Sequence, residues 1–315
     1  METNYLKRNI KLTEVAILNP NSMAICDDYL VVFDNVQSGI FKVYKLPELN
    51  YLYSWGSKGK GPEEFINIDD YSIRGYKNQL ELMDNQHIKR FKILDDKMVM
   101  TEKLEIPILE KPINRIQRIS DSIYFADNLD SDLDYEHIIF NLKAKEIISK
   151  FGDYPKMGIH TSKAYENYQI YIKFVTSNPD LGKFIAFYNY FGLIKIYDRT
   201  GQLEKEIIVN DPEVQKYSTN PDIKNKTYFA LPYSTENYVT IFWVNKTDSE
   251  IENDFDNFNP EILILNWDGD FIAKISLDIL MTSYAISEKH KTLYGVSPYK
   301  ENEIYQFDLS DIINN

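Results

Sequence analysis

The chain has 315 residues, a formal net charge of −13 and a pI near 4.9, which excludes a nucleic-acid backbone or an anionic membrane surface as its main partner, because both need a basic footprint. Hydrophobic residues make up 43% and aromatics 14%, enough to pack a core and to exclude a disordered chain. Cys26 stands alone, so there is no disulfide framework and no thiolate zinc site.

Six copies of a strand pattern run along the chain. The first is Met23–Cys26 as an innermost strand, Leu30–Phe33 as a second, Gly39–Tyr44 as a third and Leu49–Trp55 as a fourth, with period-two alternation in each. Cys26 on that innermost strand reads as a small buried hydrophobe. Five of the six second strands end near an Asn, at positions 35, 85, 128, 189 and 245, spaced by 50, 43, 61 and 56 residues, a loose period of the kind that marks radial or solenoidal arrays. Third strands recur at Ile88–Lys92, His137–Phe140, Leu193–Tyr197, Ile262–Asn266 and Ile304–Phe307, and the tips after them carry Asp or Gly in most copies, residues suited to tight hairpin turns. Outer strands follow at Met98–Leu104, Ile147–Phe151, Leu203–Val209 and Phe271–Leu277, but the sixth copy has none before the sequence stops.

The expected fold is all-β: a six-bladed β-propeller of four-stranded antiparallel blades, a single domain over residues 1–315. Its blades fall near residues 23–56, 71–107, 115–152, 168–209, 227–277 and 281–310. The apolar-alternating stretch Asn9–Leu12 has no other partner, so it is expected to join the last blade and close the ring, removing open edges. Long segments at 151–167, 210–226 and 247–260 map to loops, where binding residues concentrate but length is also simply tolerated.

No window approaches the roughly 18 apolar residues of a membrane span, and residues 1–8 lack a signal-peptide core. Either the protein is cytoplasmic, or an export signal has been removed and Met1 is not the native start.

Three Asp-Asn pairs, Asp34-Asn35, Asp84-Asn85 and Asp127-Asn128, end second strands on the blade end that also carries the linker to the next blade. One interpretation is local capping of turns by side-chain hydrogen bonds. The other is a rim of oxygen ligands for Ca²⁺ or a polar ligand. Asp130–Glu136 imitates a calcium loop but has Tyr135 and Asn141 where an EF-hand needs Gly and Glu, so it is expected to be a solvated acidic loop, and so is Asp248–Asp256. His87, His137, His160 and His290 show no zinc-hydrolase spacing, and no G-x-S-x-G elbow occurs.

The most distinctive local sequence is Trp55-Gly-Ser-Lys58-Gly-Lys60-Gly61-Pro62-Glu63-Glu64-Phe65. Its glycines open backbone conformations closed to other residues, and Phe65 can anchor it in the core. A phosphate cradle at Gly59–Gly61 would need a helix N-terminus, which an all-β setting does not offer. A Gly-x-Gly-Pro-x-Glu-Phe linker, followed by an Asp-Asn-terminated strand and the strand Ile88–Phe91, resembles NHL-type and TolB-like six-bladed propellers, and especially the uncharacterised secreted or lipid-anchored propellers of Bacteroidetes. The six-unit pattern carries the resemblance along the chain, although the Gly-Pro-Glu-Phe signature occurs once. It implies an exported protein, periplasmic or an anchored lipoprotein at the cell surface, with cytoplasmic residence as the alternative.

The function expected is a non-enzymatic, monomeric binding propeller without a catalytic residue or resident cofactor, holding a protein, peptide or glycan. Its expected ligand face comprises Asp34, Asn35, Lys58, Lys60, Glu63, Asp84, Asn85, Asp127 and Asn128. The rival is a Ca²⁺-dependent hydrolase or lactonase resembling the gluconolactonase-like and paraoxonase-like enzymes, with the Asp-Asn pairs as metal ligands.

Overall fold

Runs of Val, Ile, Phe and Tyr alternating with polar residues favour a pleated, half-buried backbone. A computed structural model of the chain shows 26 strands and, after the second strand of the fifth blade, a short helix among the described residues. It describes residues 3–61, 63–106, 113–128, 135–155, 169–209, 225–253, 258, 261–297 and 299–313, with the backbone alone at Asn114. Pro62, Asp130–Asp134, His160 and most of the three long loops lie outside them.

The chain divides into two compact units, Met1–Tyr5 with Pro107–Ile279 and Leu6–Ile106 with Leu280–Asn315. Each holds three of the six blades of an all-β propeller. The N-terminal residues form β1 (Thr3–Leu6) and β2 (Asn9–Leu12). Blade one is β3 (Pro20–Cys26), β4 (Tyr29–Asp34), β5 (Ser38–Lys45) and β6 (Asn50–Lys58), with β7 (Glu64–Phe65) added in parallel along β6. Blade two is β8 (Ile68–Tyr76), β9 (Gln79–Asp84), β10 (His87–Ile93) and β11 (Met98–Glu105). Blade three is β12 (Ile113–Arg118), β13 (Ile123–Asn128), β14 (His137–Asn141) and β15 (Glu146–Phe151), and blade four is β16 (Lys173–Asn178), β17 (Lys183–Tyr188), β18 (Leu193–Asp198) and β19 (Leu203–Ile208). Blade five is β20 (Lys226–Ser234), β21 (Tyr238–Thr247), β22 (Glu261–Asn266) and β23 (Phe271–Leu277), with helix α1 (Asp248–Asn253) between β21 and β22. Blade six is β24 (Ser283–Ser287), β25 (Thr292–Val296) and β26 (Glu303–Asp308).

The missing fourth strand of blade six is β2, as the incomplete last copy demands. Ile10 pairs with Tyr305 and Lys11 with Ile304. Two blades exceed four strands. Blade five gains β1 beside β23, and blade one gains β7 because the Gly-rich linker folds back, with Ser57 opposite Glu64. Helix α1 replaces expected loop; Thr247 and Glu250 cap it reciprocally, the Thr247 N–H donating to Glu250 Oε2 at 2.7 Å and the Glu250 N–H to Thr247 Oγ1 at 3.2 Å.

Within Leu6–Ile106 and Leu280–Asn315, one apolar cluster joins blades one and two through Val31, Phe41, Phe65, Leu80, Leu82 and Phe91. Each such side chain contributes roughly 1.5–3 kcal/mol when fully buried. In the other unit, Phe125, Ile139, Phe184 and Tyr197 join blades three and four, while Ile185, Phe187, Phe229 and Trp267 join blades four and five. Turns follow the expected Gly chemistry at Gly201 (φ 88°) and Gly269 (φ 77°), but blades one and three use Leu49 (φ 56°) and Lys145 (φ 56°). Leu49 is buried, and that burial offsets the left-handed cost of about 1–2 kcal/mol.

The innermost strands β3 and β8 approach so closely that a Cβ at Gly75 would lie 1.8 Å from the Ile25 carbonyl oxygen. Gly75→Ala is expected to lower unfolding free energy by about 1–3 kcal/mol, read by chemical denaturation. Deleting residues 1–12 removes both β1 and β2 and is expected to give an insoluble or strongly destabilised protein; unchanged thermal melting would contradict the role given to these strands.

Candidate ligand-binding site

A carboxylate at the end of a second strand, placed in an apolar sheet, must find donors or be protonated. Asp34 and Asp84 solve this in the same way. Asp34 accepts the backbone N–H groups of Leu18 (3.1 Å) and Asn19 (2.5 Å), the segment that leads into β3, and pairs with Lys42 on β5. Asp84 accepts from Ile66 (2.9 Å) and Asn67 (2.8 Å), the segment that leads into β8, and pairs with Lys89 on β10 at 2.7 Å. All four side chains are buried. The lysines sit at one register position, opposite Val32 and Leu82, each two residues before the aspartate.

In the other unit Asp127 is also buried and meets His137 Nδ1 at 3.0 Å. Asn128 is buried and donates to the Tyr135 carbonyl at 3.2 Å. Asn35 is half-buried, and its main-chain carbonyl accepts a 3.4 Å hydrogen bond from Asn19; Asn85 is exposed, in the left-handed region at φ 55°. Asp34 and Asp84 spend their oxygens on lysine and backbone N–H groups, whereas Asp127 engages His137 through Oδ1 and leaves Oδ2 buried without a hydrogen-bond partner. Among the described residues no cluster of three or more His, Cys, Asp or Glu side chains could hold a metal.

Glu136, expected in a solvated acidic loop, is instead fully buried. The correction has a physical cause three-dimensional in origin: cations from two strands of the next blade converge on it. Lys173 Nζ lies 3.1 Å from Oε1, while Lys195 Nζ at 3.3 Å and the Tyr188 hydroxyl at 2.6 Å donate to Oε2. Burial pushes the Glu136 carboxyl up, but Lys173 and Lys195 outweigh it and hold it below its ordinary 4.5. Asp127 shows the same balance, with Lys173 and His137 overcoming burial to hold it below 3.8. Burial pulls Lys173 down, yet Glu136 and Asp127 leave it above 10.5. His137, depressed by burial and by Lys173, stays below 6.5.

Asp34 and Asp84 are thus tied into the scaffold by Lys42 and Lys89, and these lysines, like the grouping of Glu136 with Lys173 and Lys195, were missed. A signal existed for Lys42, Lys89 and Lys195: each interrupts an apolar third strand, as in Ile40-Phe41-Lys42-Val43 and Ile194-Lys195-Ile196.

The linker after blade one has a different character. A groove of about 920 Å³ is lined by Ser38 and Gly39 of β5, Trp55, Gly56 and Ser57 of β6, and Gly61, Glu63 and Glu64. A hollow of about 430 Å³ shares Trp55 and Glu63 and is lined also by Phe91, Met98 and Met100. Trp55 is held edge-on by Phe65 (5.7 Å) and Phe91 (5.3 Å). Gly56, at φ 78°, has no room for a side chain, since a Cβ would lie 3.0 Å from Phe65 and 3.2 Å from Ile40. Glu64 folds back to accept the Gly61 N–H at 2.7 Å. Of the expected ligand residues, Glu63 lines this groove; Lys58 and Lys60 are exposed on the same linker but do not. No helix follows Gly59–Gly61; the next element is β7, so the phosphate cradle has no helix terminus to use.

Six antiparallel blades with these linkers define a six-bladed β-propeller. Residues 3–289 match the family described as TolB-like 6-blade propeller-like, and the chain belongs to that family. Among solved structures, a member of the DUF4221 family from Bacteroides vulgatus matches with TM-score 0.62 at 10% identity, covering 96% of both chains. A putative exported protein from Bacteroides fragilis matches with TM-score 0.53 at 10% identity, covering 97% of this chain and 98% of that one. Raptor from Chaetomium thermophilum matches with TM-score 0.54 at 10% identity, over 96% of this chain but 30% of its own. At these identities the likeness is one of fold. Comparison with curated proteins gives no match.

Glu136→Gln is expected to cost about 3–5 kcal/mol at neutral pH, because it leaves buried ammonium groups uncompensated. The pH dependence has a defined sign. Glu136 and Asp127 are held below 4.5 and 3.8, so their stabilisation is complete above those values and is lost as pH falls through the lower folded ones. His137, held below 6.5, weakens the fold in the same direction once pH drops under that value. Denaturation curves between pH 7 and 3 are expected to show falling stability, with a shallower acid limb in Glu136→Gln.

Proposed function

We propose that this chain is a non-enzymatic binding propeller that takes its ligand in the groove beside the Gly-rich linker of blade one. The observation that carries this is a contrast in satisfaction of polar groups. Asp34, Asp84 and their lysines are consumed by pairing, whereas the groove presents Ser38, Ser57, Glu63 and the Trp55 indole N–H without a hydrogen-bond partner among the described residues. Concave sites with an aromatic wall and a few convergent polar groups are the usual form of ligand sites.

Export is part of the proposal. It is supported by the fold shared with a Bacteroides fragilis protein named a putative exported protein. A periplasmic or cell-surface location is the one proposed.

Arrays of short peptides and oligosaccharides probed with the native chain and with Glu63→Ala test the binding site. Ligands retained by the native chain and lost by the variant are expected; equal retention would move the site elsewhere. Thermal melting in millimolar Ca²⁺ tests the rival: an unchanged midpoint is expected, and a rise of several degrees would favour a metal-dependent enzyme.

A further inference from the structure

The geometry points to a neutral oligosaccharide as the ligand of the linker groove, an assignment that rests on the binding role proposed above. Sugars present two kinds of surface, an apolar C–H face and a rim of hydroxyls that are each donor and acceptor. The groove offers both complements. Trp55 supplies an aromatic wall, fixed by Phe65 and Phe91, and it is the one large apolar side chain lining this groove among the described residues. Ser38 and Ser57 supply hydroxyls that both donate and accept, and Glu63 supplies a carboxylate that accepts.

Two competing ligand classes fit less well. Anionic ligands need cations, and none lines this groove among the described residues, while Glu63 and Glu64 do and the whole chain carries −13. Extended peptides are usually held by an open strand edge with pockets for alternate side chains. Here the end of the β6 edge nearest the linker, Ser57 and Lys58, is already taken by β7, which pairs them with Glu64 and Phe65. Gly61 has likewise given its N–H to Glu64. What remains unpaired in the groove is side-chain hydroxyl, carboxylate and indole, the set that suits a polyol.

The test is fluorescence titration of the full chain, which has three tryptophans, with neutral oligosaccharide mixtures, acidic oligosaccharides and a lysine-rich peptide as separate probes. Saturable change with neutral sugars is expected, absent in Trp55→Phe and about tenfold weaker in Glu63→Ala and Ser57→Ala, the loss of one hydrogen bond to ligand. Glu63 and Ser57 lie outside the apolar cluster, so these two variants are informative even if Trp55→Phe folds poorly. Response to the peptide alone, abolished in Glu63→Ala, would overturn the sugar assignment and leave the binding role standing. Response to acidic sugars alone would overturn the assignment through its charge argument. No response to any probe would overturn both.

Discussion

The fold depends on how buried carboxylates near the ends of second strands are satisfied. In blades one and two, Asp34 and Asp84 each gather two backbone N–H groups from the segment leading into the first strand and one ammonium from the third. Three strands are thereby tied at one end by a single side chain. The first strand is fixed in phase with the second, and the third is fixed by a lysine in one register position. Removing either charge leaves the other buried and uncompensated, which costs more than the pair itself contributes.

Blade four shows the same constraint met by different residues. Its second strand ends in Tyr188 rather than an aspartate, yet Lys195 occupies the same third-strand position as Lys42 and Lys89, opposite Ala186. The first strand places a second cation, Lys173, directly opposite Tyr188. The missing negative charge comes from the neighbouring blade as Glu136, which accepts from both lysines and from the Tyr188 hydroxyl. With Asp127 held ionised and His137 held neutral, two carboxylates balance two ammoniums. Lys173, which helps hold Asp127 ionised as well as pairing with Glu136, couples the two acids. The adjacent blades are joined here by charge as well as by the aromatic stack of Phe125 on Phe184 at 4.2 Å.

This explains which parts of the molecule were legible in its sequence. Strand identity and blade number follow from alternation and from the recurring Asn, because each unit repeats the same local problem. The clasp of β2 on β26 was legible because a repeat with a missing strand implies a donor. Glu136 was not, since its burial depends on lysines 37 and 59 residues away, and the acidic residues before it suggest solvent. The added strands β1 and β7 were hidden for a related reason: neither belongs to the repeat, and two residues in parallel pairing leave no periodic trace. Helix α1 did carry a readable cue, Thr247 followed by Glu250, set within what looked like an acidic loop.

The same logic locates function. A residue that recurs with the same partners from blade to blade is accounted for by folding, as Asp34 and Asp84 are. A segment that occurs once in a sixfold pattern is under no such demand. The Gly56–Phe65 linker is that segment, and it leaves hydroxyl, carboxylate and indole groups unpaired around a concave surface. Gly56 is needed because Phe65 and Ile40 crowd its backbone, Glu64 is spent on holding the turn, and Phe65 anchors it beneath. Glu63 and Ser57 serve none of these structural tasks. Side chains exempt from folding and set beside a half-buried aromatic wall are free to be chosen by a ligand.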